Sequence, residues 1–222
     1  MIRESRLKGV YEDQRGRKLF TKSLAPGIKV YDEILIREHG DEYRTWNPNK
    51  SKLAAAIMNG CSQIGIKPGS RVLYLGAASG TTVSHVSDIV ENNGFVFAVE
   101  FSIRSVRNLV LLSEQRKNIA PVFHDANDID GLSRKVALCD IVFQDIAQKN
   151  QTEIFMKNCR VFLKEGGFGL FCVKARSIDV SKNPAVLYKD VWKKLEEELI
   201  VADFKRLDPF EKDHCIFVVK KK

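Results

Sequence analysis

A chain of 222 residues that is 44% hydrophobic and 29% charged has room for one α/β domain plus a small appendage, and it is too apolar to be disordered. Its net charge of +8 fits a polyanionic partner, with basic residues gathered at Arg3, Arg6, Lys8, Arg15, Arg17 and Lys18 and again at Lys220, Lys221 and Lys222. The N-terminus lacks an apolar leader core and no stretch suffices to span a bilayer, while Cys61, Cys139, Cys159, Cys172 and Cys215 form no Cys-x-x-Cys pair; a membrane protein, a metal site and a disulfide framework are therefore not expected.

Short alternating segments open the chain: Gly9-Val10-Tyr11, Lys18-Leu19-Phe20 and Ile34-Leu35-Ile36, broken by turn residues at Asp13-Gln14-Arg15-Gly16 and Ala25-Pro26-Gly27. They predict a small antiparallel β module over residues 1–46. From Asn47 the pattern changes to helices alternating with strands, which assigns residues 47–222 to a doubly wound α/β domain. Ser51 can cap a helix beginning Lys52-Leu53-Ala54-Ala55. Strands are expected at Arg71–Leu75, Phe95–Glu100, Ile119–Phe123, Cys139–Asp145 and Gly169–Lys174, with helices from about Thr81 to Val90, Ser102 to Gln115, Thr152 to Leu163 and Ala185 to Glu198. Pro121 places the third of these strands near a sheet edge. The final runs, Ile200–Leu207 and Cys215–Val219, are joined too closely for a parallel crossover and read as an antiparallel hairpin.

In such sheets the ligand lies beyond the carboxyl ends of the strands. The first strand is followed there by Gly76-Ala77-Ala78-Ser79-Gly80-Thr81-Thr82, whose small residues let a ligand approach the backbone and whose following helix offers unpaired N–H groups. The spacing is neither Gly-x-Gly-x-x-Gly nor a P-loop, which weakens NAD and ATP as ligands. Glu100 closes the second strand at the position of an acid that grips a ribose diol. Asp125 and Ala126 follow the third strand, within reach of an adenine amine, and Asp145 follows the fourth, beside the position of a reactive group. Acids at three successive strand ends suit a ligand with a ribose, an amine and a positive centre, as S-adenosylmethionine has.

Several stretches resemble the fibrillarin family: Tyr43-Arg44-Thr45-Trp46-Asn47-Pro48, the long run Val72 to Val90, Ala98-Val99-Glu100-Phe101-Ser102, Asp145-Ile146-Ala147-Gln148, Val173 to Asp179 and Phe210-Glu211-Lys212-Asp213-His214. The resemblance implies a Rossmann-like methyltransferase sheet, mainly parallel, and an enzyme that methylates ribose 2′-hydroxyls of rRNA, with tRNA as a further substrate. It also implies a box C/D guide RNA that selects the target, a coiled-coil Nop-type scaffold and a kink-turn-binding protein. It sets S-adenosylmethionine against Gly76, Thr81, Thr82, Glu100, Phe101, Asp125, Ala126, Asp145 and Gln148; the rest of the glycine loop, Ala77, Ser79 and Gly80, joins that expected site. Eukaryotic members carry a glycine- and arginine-rich N-terminal region with no counterpart here, so an archaeal-like form is implied, cytoplasmic if archaeal and nucleolar if eukaryotic. Gln148-Lys149-Asn150-Gln151 departs from the family's usual Gln-Pro-Asp-Gln, and Gln144 stands where Glu or Ala is common.

Lys52, Asp145, Lys174 and His214 match a charged tetrad implied by the resemblance. We expect Lys174 to take or polarise the proton of the hydroxyl, Asp145 to orient it, and Lys52 and His214 to tune the charge; a nearby Lys52 would lower the pKa of Lys174. His85 is expected to serve packing, no role is assigned to His39 or His124, and Trp46 and Trp192 are expected in the core rather than on RNA. The competing readings are a protein (histone glutamine) methyltransferase, a non-catalytic ribonucleoprotein subunit and, disfavoured by the glycine spacing, an NAD oxidoreductase.

Overall fold

The change of period at Asn47 separates two sheets. The computed structural model describes residues 1–222. Strands β1 (Ile2–Glu4), β2 (Tyr11–Asp13), β3 (Leu19–Lys22), β4 (Leu35–Glu38) and β5 (Asp41–Trp46) form a five-stranded antiparallel sheet in the order β1-β2-β3-β5-β4. Two of them escape a hydrophobic-period reading. β1 is a short, largely charged edge strand, and the buried positions of β5 are Glu42, Arg44 and Trp46, so its alternation is one of burial and not of hydrophobicity.

The larger sheet contains β6 (Arg71–Leu75), β7 (Phe95–Glu100), β8 (Ile119–Phe123), β9 (Cys139–Gln144), β10 (Leu163–Lys174), β11 (Leu199–Arg206) and β12 (His214–Lys221) in the order β11-β12-β10-β9-β6-β7-β8. β6 to β10 pair in parallel, and β12 runs antiparallel to both β10 and β11. The antiparallel hairpin is therefore present, and β8 with Pro121 is an edge strand, where a missing N–H costs no ladder bond. The helices are α1 (Lys52–Met58), α2 (Thr81–Val90), α3 (Ile103–Gln115), α4 (Ile129–Ser133), α5 (Gln151–Phe162), α6 (Ala175–Ile178) and α7 (Pro184–Glu196). Ser51 caps α1, its hydroxyl accepting from the Ala54 N–H. α4 and α6 are single turns, too short to show a period.

One face of the large sheet packs against α1, α2 and the small sheet, around Trp46, Leu53, Val83, Phe143, Cys172 and Ile216. The other packs against α5 and α7, around Phe155, Phe171, Val191 and Phe217. Trp192 lies at the edge of this second core, against Phe204 and Phe217. All five cysteines are free and buried, and burial pushes the Cys61 thiol up to about 11 and Cys139 up to about 12.

A buried polar cluster fastens the small sheet to α2. Asp88 accepts hydrogen bonds from Thr21 Oγ1 (2.7 Å), the Leu24 N–H (3.0 Å), Arg44 and Arg116, and Arg44 also bonds Glu33 at 2.8 Å. His85 stacks on Trp46 with ring centroids 5.0 Å apart, its nitrogens 2.7 Å from the Thr21 hydroxyl and 2.8 Å from the Tyr31 hydroxyl. Complete burial, with Arg44 and Arg116 nearby, holds the His85 pKa well below the usual value, so the ring is neutral at pH 7. His85 and Trp46 thus serve packing, as expected.

Asp203 ties the segment after α1 to β11, accepting from the Ser62 N–H at 2.6 Å and the Ser62 hydroxyl at 2.7 Å. Burial alone would raise this carboxyl, but the donors outweigh it and bring the pKa from 3.8 down to about 2. A depressed folded pKa means that the stabilisation is complete above the unfolded value and is lost as pH falls toward about 2. Asp203→Asn should lower Tm at pH 7 by roughly 2–4 °C, and the difference from the parent should shrink on acidification through that window. A difference independent of pH would contradict the assignment.

A cation-free cleft beside a charged cluster

The carboxyl ends of β6 to β9 meet at one edge of the sheet, and the loops there are built on close approach. Gly76 has φ 82°, and a Cβ on it would lie 2.4 Å from the Asp145 carbonyl oxygen and 2.7 Å from Ile146 Cγ2. Glycine is what lets the loops after β6 and β9 touch. Glu100 is fixed by backbone donors: Oε2 accepts from the Ala78 N–H at 2.9 Å, and Oε1 from the N–H groups of Phe101 (3.1 Å) and Ser102 (2.8 Å). Asp125 accepts from the Asn127 N–H at 2.8 Å. Asn127 Nδ2 also reaches Asp125 at 3.1 Å and Gln148 Oε1 at 3.3 Å, while Asn127 Oδ1 accepts from Asn150 Nδ2 at 3.1 Å.

These loops enclose a cleft of about 280 Å³ lined by Gly76, Glu100, Phe101, Asp125, Ala126, Asp145 and Gln148, together with Ala78, Val99, His124, Ile146 and Ala147. Phe101 stands 64% exposed at its rim. Ala77, Ser79, Gly80, Thr81 and Thr82, all expected at the site, are not among the lining residues. Ala77 is turned into the core, Gly80 packs against Leu112 where a Cβ would lie 2.5 Å from Cδ2, and the Thr82 hydroxyl donates to Ser51 Oγ at 3.0 Å. They shape the turn and the start of α2 behind the cleft. Asn127 and the lining residues Ala78, Val99, His124, Ile146 and Ala147 were missed; Asn127 stands two residues after Asp125, a spacing that lets an Asx-type turn form.

The charged residues converge through strand parity. Phe143 on β9, Cys172 on β10 and Ile216 on β12 all enter the core that contains α1. Two residues from each, on the same face, stand Asp145, Lys174 and His214. Lys174 and His214 are directly opposed in the β10–β12 ladder. Lys52, the first residue of α1, reaches Asp145 from across this face, with Nζ 2.9 Å from Oδ1 and 3.1 Å from Oδ2. Burial lowers the Lys52 pKa, but attraction to Asp145 outweighs it and the net shift is upward. His214 is largely buried, with Nδ1 2.7 Å from the Lys212 carbonyl oxygen; Nδ1 therefore carries the proton, and Nε2 is the acceptor of the neutral ring.

Two expectations about this cluster need correction. Asp145 pairs with Lys52, not with Lys174, because the half-buried gap between β9 and α1 favours neutralisation of opposite charges. Lys52 is held by Asp145 and not by Lys174, whose side chain is exposed. What holds Lys174 is its backbone: its N–H donates to Gln151 Oε1 at 3.1 Å and its carbonyl accepts from Gln151 Nε2 at 3.3 Å. Gln151 is completely buried, and Gln144 Nε2 donates to its carbonyl at 2.6 Å. Sequence reasoning missed Gln151, because its function comes from contact with a strand distant in sequence.

No lysine or arginine lines the cleft, while three carboxylates do. Such a site suits a ligand bearing hydroxyl and amine donors and a positive centre, and it offers nothing to a phosphate.

Residues 1–222 match the fibrillarin family. A fibrillarin-like rRNA/tRNA 2′-O-methyltransferase of Thermococcus onnurineus is 50% identical over 99% of this chain and 99% of its own length. The structure of Aeropyrum pernix fibrillarin in complex with natively bound S-adenosyl-L-methionine superposes with a TM-score of 0.90 at 42% identity, covering 99% of this chain and 97% of that one. A fibrillarin solved in a fibrillarin/Nop5p complex gives a TM-score of 0.89 at 39% identity, covering 99% of this chain and 100% of that one.

Proposed function

The chain belongs to the fibrillarin family, and from that premise we propose that it is an S-adenosylmethionine-dependent methyltransferase acting on ribose 2′-hydroxyls of rRNA and tRNA within a guide-RNA ribonucleoprotein. The observation that carries this reading is the cation-free, acid-lined cleft opening beside Lys174 and His214. It separates an S-adenosyl ligand from nucleotides held by their phosphates.

Glu100, rigidly held by three backbone N–H groups, would receive the ribose hydroxyls, and Asp125 and Ala126 the adenine edge. Phe101 and Gln148 would flank the ligand, with the loop from Gly76 to Thr82 shaping its bed. When bound, S-adenosylmethionine supplies an electrophilic methyl group on a positively charged sulfur. The chain's own residues must bring the acceptor hydroxyl into line and handle its proton, because a ribose hydroxyl is a weak nucleophile until its proton is taken or polarised. Lys174 stands at the open edge, in position for that role. The Lys52–Asp145 pair fixes a carboxylate beside the reacting centre without leaving net charge there, and His214 Nε2 offers an acceptor next to Lys174.

The same reading divides the chain into a β module, 1–46, and a catalytic domain, 47–222. A Nop-type scaffold is its protein partner, in line with the Nop5p complex of the related fibrillarin, and a box C/D guide RNA and a kink-turn-binding protein complete the particle. An archaeal form of this kind would act in the cytoplasm, and the Thermococcus relative is archaeal in type.

Glu100→Gln removes one charge from the hydrogen bonds to the ribose, worth about 1.5–3 kcal/mol, and should raise the Kd for S-adenosylmethionine by roughly 10- to 100-fold. Calorimetric titration checks this, and unchanged affinity would contradict the role of Glu100. The reaction itself is read by alkaline hydrolysis of guide-paired RNA after incubation with labelled S-adenosylmethionine and the partners. Label in an alkali-resistant dinucleotide is expected, since a methylated 2′-oxygen cannot attack its phosphodiester. Label released in mononucleotides or found in protein would reject the proposal.

A further inference from the structure

The amino end of the large sheet bears a second cleft, of about 650 Å³, between the segment after α1 and the start of β10. Phe168, beside this cleft, and Lys174, at the charged cluster, occupy the same strand and lie roughly 20 Å apart at the strand rise of ~3.3 Å per residue. The cleft's lining includes Arg6, Lys8, Lys67 and Phe168. Lys8 and Lys67 are exposed and their ammonium groups form no ion pair, and Arg6 is engaged only by the Cys61 carbonyl, at 2.8 Å. Lys220 stands over the Phe168 ring, 6.0 Å from its centroid, and it too has no acidic partner. Of the remaining charges Lys164 is matched by Asp140 and Glu165 by Lys221, so the excess is positive.

The wall of this cleft is unusual in its backbone. The N–H groups of residues 63–66 donate to no other part of the protein, although the side chains of Ile64 and Ile66 are buried. Gly65, with φ 69°, presses its backbone against Phe168, where a Cβ would lie 2.6 Å from the ring. Four consecutive unpaired backbone donors and four uncompensated cations make a surface for a polyanion.

We infer that this cleft binds the sugar-phosphate backbone of a single-stranded RNA segment, at a site separate from the one where the hydroxyl is methylated. The cations neutralise phosphates and the free N–H groups donate to phosphate oxygens, while Phe168, covered by Gly65 and Lys220, forms the floor of the groove. The choice of RNA as the polyanion rests on the methyltransferase reading, but the site can be tested without any methyl transfer. It also gives a use to Arg6, Lys8 and Lys220 of the two basic chain ends, which the active site leaves unexplained.

The test is fluorescence anisotropy of a labelled single-stranded RNA on the full chain across a salt series, paired with photocrosslinking of 4-thiouridine RNA and peptide mapping. The triple substitution Lys8→Glu, Lys67→Glu and Lys220→Glu should raise Kd roughly tenfold or more, and should reduce the slope of log K against log salt by about two, from ~0.7 per lost phosphate contact. Crosslinks in the unsubstituted protein should map to the peptides containing Lys67 and Phe168. Crosslinks confined to the Lys174 end, or a triple variant with unchanged Kd and slope, would overturn the inference. So would preferential occupation of the cleft by an extended acidic peptide that RNA fails to displace. If the crosslinks map to the cleft while no 2′-O-methylation is found, the cleft stands and the proposed activity falls.

Discussion

Lys174→Ala is expected to reduce methyl transfer about 10²- to 10⁴-fold, the usual effect of losing a positioned proton-transfer group, while leaving the Kd for S-adenosylmethionine within about twofold. The asymmetry follows from placement. Lys174 ends β10 opposite His214 and is not among the residues lining the acid cleft. Its backbone is clamped by buried Gln151, so the substitution removes an exposed side chain without loosening the strand. The loss should therefore appear in kcat, measured in single-turnover experiments with saturating cofactor and RNA. A Lys174→Ala enzyme with parental turnover would remove Lys174 from the chemistry and shift attention to His214 Nε2, the acceptor beside it. A loss confined to cofactor affinity would instead place Lys174 in the cleft.

The largest effect on stability is expected from Asp88→Ala. Asp88 is buried on α2, and its carboxylate oxygens satisfy Thr21, the Leu24 N–H, Arg44 and Arg116. Arg44 keeps Glu33 as a partner, but Arg116 has no other carboxylate, and two of its guanidinium nitrogens already lack partners. Breaking a buried ion pair from one side costs about 3–5 kcal/mol. That is a large part of the roughly 5–15 kcal/mol by which domains are stable, and it should lower Tm by roughly 6–20 °C for a chain of this length. Because α2 begins where the glycine loop ends, the variant should also bind cofactor more weakly at temperatures well below its own transition. A Tm within a degree or two of the parent would mean that the small sheet is held to α2 by apolar packing alone.

Much of the larger sheet is legible in the chain because buried parallel strands are continuous apolar runs. Val72-Leu73-Tyr74-Leu75 and Ile141-Val142-Phe143 need no context to be read as strands. The small sheet is less legible, since β5 turns Glu42 and Arg44 inward and satisfies them by contacts with Gly27, Glu33 and Asp88. No local pattern announces partners that distant. The acids of the cleft are visible at their strand ends, and strand parity then brings Asp145, Lys174 and His214 to one face. Which charges pair is a different matter. The Lys52–Asp145 bond depends on how far α1 lies from β9, and the clamp of Gln151 on Lys174 on how α5 meets β10. Those distances are tertiary, and the expected Asp145–Lys174 contact gave way to them. The glycine loop shows a related limit: its composition announces a close approach, but of its seven residues, Gly76 to Thr82, only Gly76 and Ala78 line the cleft.

The most direct test of the account is methyl transfer from labelled S-adenosylmethionine to two guide-paired RNAs, identical except that one carries 2′-deoxyribose at the target nucleotide, in the particle reconstituted with the scaffold and kink-turn proteins. The account predicts incorporation into the ribose target and none into the deoxy target. Equal incorporation into both would place the methyl on a base or on protein and contradict the central claim.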